Sequence, residues 1–216
     1  MSHRIGVLLS GRGSNFEALA DSIAAGRIPG AEIALVISNR EGAPGIARAA
    51  ERGIASKVIP SKGMGREDYD RLVVEELKKA RVEVVCLAGF MRLLSPYFVA
   101  AFPERILNVH PSLLPSFPGL DPHGQALHAG VKISGATVHF VIAETDAGPI
   151  LMQGAVAVRD DDTPETLAAR ILKIEHRIYP TALRLVASDK VRLEGDLCKA
   201  TDGADSDAVL ISPAVT

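Results

Sequence analysis

Short runs of consecutive apolar residues punctuate the first half of the chain, and each is followed by a polar or glycine-bearing turn. Ile5–Ser10, Glu32–Ser38, Ser56–Ile59, Val82–Ala88 and Arg105–His110 are runs of this kind. Apolar along their whole length rather than alternating, they predict strands covered on both faces. Between them the spacing changes to three and four. Phe16, Leu19, Ala20 and Ile23 mark a helix over Phe16–Ala25, closed by Gly26. Gly45–Arg52 is a short alanine-rich helix stopped by Gly53, Arg66–Ala80 is amphipathic on Tyr69, Leu72, Val73 and Leu77, and Ser95–Phe102 is a further short helix. Strand and helix in alternation predict an α/β, Rossmann-like, mostly parallel sheet with helices on both faces and right-handed crossovers.

The rhythm breaks after His110. Pro111–Gly119 is a proline-rich loop, and His123–Ala129 has room for one or two helical turns. Ala136–Val141 alternates with period two and Ile150–Val158 is a second strand, which predicts an antiparallel C-terminal addition to the sheet. Thr163 caps and Pro164 opens a last long helix with Leu167, Ile171, Ile174 and Ile178 on its core stripe; Pro180 is expected to kink or end its first section. Val191–Leu193 reads as a late strand. From Lys199 onward periodicity fades, so residues 1–198 are read as one domain and 199–216 as a surface tail.

Composition narrows the classes. With 47% hydrophobic and 23% charged residues the chain is globular rather than disordered. Lys plus Arg number 24 against 26 Asp plus Glu, a balance without the basic excess of a nucleic-acid binder. No apolar run reaches membrane-span length, and the glycine-interrupted N-terminus is no secretory signal, so no membrane partner is expected. Two cysteines, Cys86 and Cys198, are too few and too far apart for a disulfide framework or a redox pair; a cytoplasmic location fits. Cys86, in an apolar strand, reads as core.

Three constellations carry candidate chemistry. Gly11, Arg12, Gly13, Ser14 and Asn15 join the first strand to the first helix, where converging backbone N–H groups and the helix dipole suit an anion. The alternative is an ordinary turn in which glycine supplies a positive φ. Phe16 stands where a dinucleotide fingerprint needs its third glycine and no phosphate-binding Gly-Lys-Ser/Thr follows, so a monophosphate fits better than a dinucleotide or triphosphate. Asn108 and His110 lie two apart on a strand and share a face at its carboxyl end, where open α/β sheets bind ligands. An amide donor beside an imidazole suits a developing oxyanion. The alternative is a histidine satisfied by a neighbouring carbonyl. Asp146, before Ala147-Gly148-Pro149, is a turn aspartate or a carboxylate that orients the imidazole. The remaining histidines lack metal-ligand spacing, so no metal site is expected.

Taken in order, Leu9–Asn15, Leu87–Pro96, Asn108–Pro115, Asp146–Ile150 and Glu175–Pro180 resemble the folate-dependent phosphoribosylglycinamide formyltransferases, over Ile5 to about Ala187. The resemblance implies the formyltransferase fold and transfer of a formyl group from 10-formyltetrahydrofolate to the amine of glycinamide ribonucleotide, in purine synthesis. It implies these two small molecules as substrates, no metal, and a monomer or homodimer. It assigns the substrate phosphate to Gly13, Ser14 and Asn15, with Gly11 and Arg12 in the same turn. Asn108 and His110 become oxyanion stabilisers, His110 also a proton donor, and Asp146 its supporting carboxylate. The folate pocket falls to Arg66, Met91, Arg92, Leu93, Leu94 and Asn108 with the loop Ile142, Ala143, Glu144, Thr145 and Asp146, and Glu175 to the glycinamide end of the substrate. The rivals within the same chemistry are a formyltetrahydrofolate hydrolase, expected to need an extra N-terminal domain, and a methionyl-tRNA formyltransferase, expected to need a C-terminal one. A non-catalytic nucleotide- or folate-binding module is the rival outside it. Three positions depart from the family pattern: Asp121-Pro122 replaces a common histidine, Gly124 a common arginine and Ala147 a common glycine. The resemblance also implies a cis Leu114–Pro115 bond.

Overall fold

The computed structural model describes residues 3–201 and 212. In chain order the elements are β1 (His3–Leu9), α1 (Ser14–Ala24), β2 (Ala31–Ser38), α2 (Pro44–Glu51), β3 (Ser56–Val58), α3 (Arg66–Lys79), β4 (Val84–Leu87) and α4 (Pro96–Ala101). Then follow β5 (Ile106–His110), α5 (Pro122–His128), β6 (Ile133–Phe140), β7 (Ile150–Ala157), α6 (Pro164–Ala187), β8 (Val191–Glu194) and β9 (Leu197–Ala200). Seven strands form one sheet in the order β3-β2-β1-β4-β5-β6-β7, and β8 and β9 pair in a separate hairpin. The strands from β3 to β5 run parallel, and β6 and β7 add antiparallel to that edge. The mostly parallel α/β sheet and its antiparallel addition are therefore as the sequence pattern requires.

The strands are apolar throughout because both sides are covered. Val7 and Leu9 of β1 enter one hydrophobic layer with Phe16, Leu19, Ile171 and Tyr179 from α1 and α6. Leu8 enters the opposite layer with Tyr69, Val73, Leu77 and Phe98 from α3 and α4. Cys86 lies fully buried in the first layer, and burial pushes its thiol up to about 12.

The chain leaves β1 towards β2 on one side and returns from α3 to β4 on the other. The sheet's order thus reverses between β1 and β4, which opens a crevice at the carboxyl ends of these strands. Tyr179 reinforces this point: its buried hydroxyl donates to the carbonyls of Leu87 and Leu107, the residues that end β4 and precede Asn108 on β5.

Three expectations are revised. Helix α6 continues through Pro180 to Ala187 instead of stopping there. Proline removes one backbone donor, but Tyr179, Ala182, Leu183 and Val186 around it are all buried in the core, and that packing carries the helix on. Strand β6 starts at Ile133, ahead of the expected Ala136, because Gly135 lies against Gly154 of β7, where a Cβ would strike the Gly154 carbonyl. At the C-terminus, Lys199 and Ala200 belong to β9; of the expected tail, 202–211 and 213–216 lie outside the described residues.

Candidate active site

The turn after β1 is shaped by a close backbone approach. Gly13 has φ 77°, and a Cβ on it would lie 2.9 Å from the Cα of Gly45. Gly45 in turn donates its N–H to the Gly11 carbonyl at 3.1 Å. Gly13 caps α1 without a side-chain hydrogen bond, so the first amides of the helix keep their donors for a ligand. Asn15, in the first turn, donates from Nδ2 to Oε2 of Glu175 on α6 at 2.6 Å. Both are buried. Burial lifts the Glu175 carboxyl above the usual carboxylate range, and the Asn15 bond only partly opposes it. The structure thus joins the turn to Glu175 across 160 residues of sequence.

At the end of β5, His110 is buried. Its Nε2 donates to the Phe117 carbonyl at 2.9 Å, and its Nδ1 faces Asp146 Oδ2 at 3.5 Å. Both readings of His110 therefore hold at once: it is satisfied by a carbonyl and paired with a carboxylate. Asp146 sits in the left-handed region at φ 53°, which turns its carboxylate back over the site. Its Oδ2 also accepts from the Gly119 N–H at 2.9 Å, tying it to the proline-rich loop. The Leu114–Pro115 bond in that loop is cis.

A second histidine belongs here. β5 pairs with β6 so that Asn108 lies opposite His139. Asn108 Nδ2 lies 3.2 Å from His139 Nε2, and Asp146 Oδ1 lies 3.8 Å from the same nitrogen. His139 Nδ1 faces the Phe140 carbonyl at 2.9 Å, which assigns the proton to Nδ1 and leaves Nε2 to accept from Asn108. Burial pushes the imidazole below its ordinary value, against the opposing pull of the carbonyl and Asp146. Its alternation within a strand gave the sequence no sign of this role; the signal lies in the pairing register.

Two cavities meet around these groups. One, of about 520 Å³, runs from Asn15 and Glu175 past Asn108, His110 and Asp146 to Phe90, Met91, Arg92 and Leu93. A narrower one, of about 130 Å³, is walled by Leu87, Phe90, Leu94 and Val141 and edged by Arg66, Arg92 and the segment 142–146. The segment 143–146 turns at the cavity edge and lines it. Arg66, Arg92, Leu93, Leu94 and Ile142–Asp146 are thus brought together. Met91 is 58% exposed; of these two cavities it lines the larger. Of the turn, Asn15 reaches the larger cavity; Gly11, Arg12, Gly13 and Ser14 line neither. Among the described residues no cluster of His, Cys, Asp and Glu has the arrangement of a metal site, and no helix is long and apolar enough to cross a membrane.

Two of the departures explain each other. Asp121 caps α5, its carboxylate accepting from the Gly124 N–H at 3.1 Å, and fills the space that a Cβ at 124 would take. Ala147 has no positive φ, so it does not need to be glycine; Gly148 does, since a Cβ there would strike the Phe140 carbonyl.

Comparison with known proteins agrees with this geometry. The chain is 43% identical over 188 residues to the phosphoribosylglycinamide formyltransferase of Escherichia coli, covering 87% of this chain and 88% of that one. It is 48% identical over 200 residues to the trifunctional purine biosynthetic protein adenosine-3 of Gallus gallus, covering 90% of this chain but 20% of the relative. The chain therefore spans between about a seventh and a fifth of the trifunctional relatives it matches. Among solved structures, glycinamide ribonucleotide transformylase 1 from Symbiobacterium toebii superposes with a TM-score of 0.91 at 48% identity, over 93% of this chain and 95% of that one. The model for formyl transferase matches residues 3–183, and the chain belongs to the formyl transferase family.

Proposed function

We propose that the chain transfers the formyl group of 10-formyltetrahydrofolate to the amine of glycinamide ribonucleotide, within purine synthesis. The observation that carries this reading is the single cavity that joins the α1 turn and Glu175 to Asn108, His110 and Asp146 and continues to the Phe90–Leu93 loop. It reaches the first turn of α1 at Asn15 and holds an acid–base pair and a largely apolar slot in one line. The Escherichia coli and Symbiobacterium toebii proteins, both named for this reaction, match over most of their length.

In this reading Gly13, Ser14 and Asn15, with Gly11 and Arg12 beside them, receive the phosphate at the α1 N-terminus. Glu175 meets the glycinamide end. The narrow cavity suits a flat heteroaromatic ring: leucine, phenylalanine and valine cover its faces, and the polar turn 143–146 meets its edge. Arg66 and Arg92 stand where the donor's carboxylates leave the pocket. The formyl donor supplies the one-carbon unit. Asn108 donates its remaining amide hydrogen to the oxygen that gains charge as the amine adds to the formyl carbon. His110 delivers a proton to the departing nitrogen, and Asp146 orients the ring and takes up the amine proton through water. His139 keeps the Asn108 amide pointed inward. A cytoplasmic monomer or homodimer completes the proposal.

The test mixes the protein with 10-formyltetrahydrofolate and follows deformylation with and without glycinamide ribonucleotide. Deformylation that requires the ribonucleotide, with formylglycinamide ribonucleotide as product, is the expected result. Deformylation that ignores it makes the protein a hydrolase. Tight folate binding without turnover makes it a binding module.

A further inference from the structure

We propose that Asp70, together with Tyr69, is a positioning device for the folate-side loop and sets affinity for the formyl donor without touching it. The inference rests on the function proposed above. Asp70 lies on α3, outside both cavities, and is fully buried. Its Oδ2 accepts the backbone N–H of Ser95 at 2.6 Å. Ser95 is the N-cap of α4, its hydroxyl accepting from the Phe98 N–H. The carboxylate therefore fixes the point where the loop Gly89–Leu94 ends and α4 begins.

One residue earlier, the Tyr69 ring holds the same loop at a second point. The Arg92 guanidinium lies 4.8 Å from the ring centroid and donates to the carbonyls of Met64 and Gly65 at 3.1 and 3.0 Å. Gly65 is the N-cap of α3 and its carbonyl also accepts the Tyr69 N–H. Leu93 and Leu94 hang between the two anchors, and both line the narrow cavity. The first turns of α3 are thus a template on which that wall of the pocket is laid.

Stability alone does not account for this construction. The fully buried Asp70 carboxylate is costly to desolvate, and an apolar pair of like size holds two segments together at least as well. Here Asp70 Oδ1, Tyr69 OH and Arg92 Nε all lack a hydrogen-bond partner, a cost that a device for cohesion would not carry. What the polar pair supplies is direction: one fixed N–H and one fixed guanidinium plane, and hence one loop geometry.

The experiment compares Asp70→Ala with Asp70→Asn, which keeps an acceptor oxygen for Ser95. It measures kcat, KM for each substrate, thermal unfolding, and the Kd of tetrahydrofolate by calorimetry. Loss of a buried, charge-assisted bond predicts that Asp70→Ala raises the folate KM and Kd roughly tenfold, with Asp70→Asn at about threefold. The ribonucleotide KM stays within about twofold. Unchanged folate constants, or an equal rise for both substrates, would overturn the proposal. Should both variants fail to fold, Tyr69→Leu, which removes the Arg92 stack and spares the carboxylate, is judged by the same criterion. A wild-type protein that binds tetrahydrofolate but transfers no formyl group defeats the functional reading alone, because the calorimetric comparison still decides the role of Asp70.

Discussion

His110 Nδ1 lies 3.5 Å from Asp146 Oδ2, and both side chains are almost sealed from solvent. The opposite ring nitrogen is held by the Phe117 carbonyl, while Asp146 also binds the Gly119 amide. The pair is therefore fixed from both sides by the proline-rich loop. His110→Ala or Asp146→Asn should lower kcat by about 10² or more, as the loss of a general acid or its orienting partner does. Steady-state kinetics with both substrates checks this; turnover near wild type in both variants removes the pair from the mechanism.

His139 supplies a second, separable effect. It touches Asn108 and faces Asp146, but its buried ring is held below its ordinary 6.5 chiefly by desolvation. His123 and His176 are lowered by burial too. A base whose folded value is depressed contributes stability that is present above the unfolded value and lost as pH falls through the folded one. Urea unfolding should therefore show stability falling below about pH 6.5, by at most about 1.4 kcal/mol per pH unit for each histidine. His139→Phe should flatten part of that slope and lower kcat about tenfold through the misdirected amide. An unchanged slope and unchanged kcat would return His139 to the core.

What the sequence could and could not disclose follows from distance along the chain. Asn108 and His110 are legible because two residues apart on a strand means one face. The layered sheet is legible because Leu8 and its neighbours Val7 and Leu9 are apolar on both sides. Asp146 reads as a turn residue until its left-handed backbone is seen. His139 meets Asn108 only through the β5–β6 register, and Glu175 meets Asn15 only through the packing of α6 on α1. Helix α6 runs through Pro180 for the same reason: burial of Tyr179, Ala182, Leu183 and Val186 in the assembled layers outweighs a local break.

Glu175 titrates in the opposite sense to the histidines. Burial raises its carboxyl above the ordinary 4.5. The neutral form is favoured in the folded chain, so its contribution is complete below about pH 4.5 and is lost as pH rises through the raised value. Glu175→Gln removes that loss and keeps an acceptor for Asn15. Its Tm should exceed that of wild type at pH 8, and the gap should close as the pH is brought down towards 4.5, while the ribonucleotide KM rises. A Tm below wild type at pH 8 would show that the ionised carboxylate is stabilising.

Ser10 links the two ends of the cavity. Its hydroxyl donates to Asn39 Oδ1 at 2.6 Å and accepts the Met91 N–H at 2.8 Å, so the strand that leads to the α1 turn grips the folate-side loop. Ser10→Ala would leave the Met91 N–H and the buried Asn39 Oδ1 without this partner. The expected cost is about 1–3 kcal/mol in urea unfolding, accompanied by a rise in KM for both substrates, since both subsites lean on this residue. A shift confined to one substrate would show that the link is not shared.

The coupled departures at Asp121 and Gly124 allow a test by double mutation. Gly→Ala inside a helix ordinarily stabilises by about 0.8–1 kcal/mol. At position 124 the new methyl would displace the Asp121 carboxylate that caps α5, and loss of an aspartate cap costs about 0.5–2 kcal/mol. The two nearly cancel, so Gly124→Ala alone should leave unfolding free energy close to wild type. Asp121 has φ 54°, a conformation that glycine adopts freely, so Asp121→Gly removes the carboxylate without straining the turn. In that background Gly124→Ala should recover its usual gain. A gain of equal size in both backgrounds would mean that the carboxylate and position 124 are independent, and the two departures would then need separate explanations.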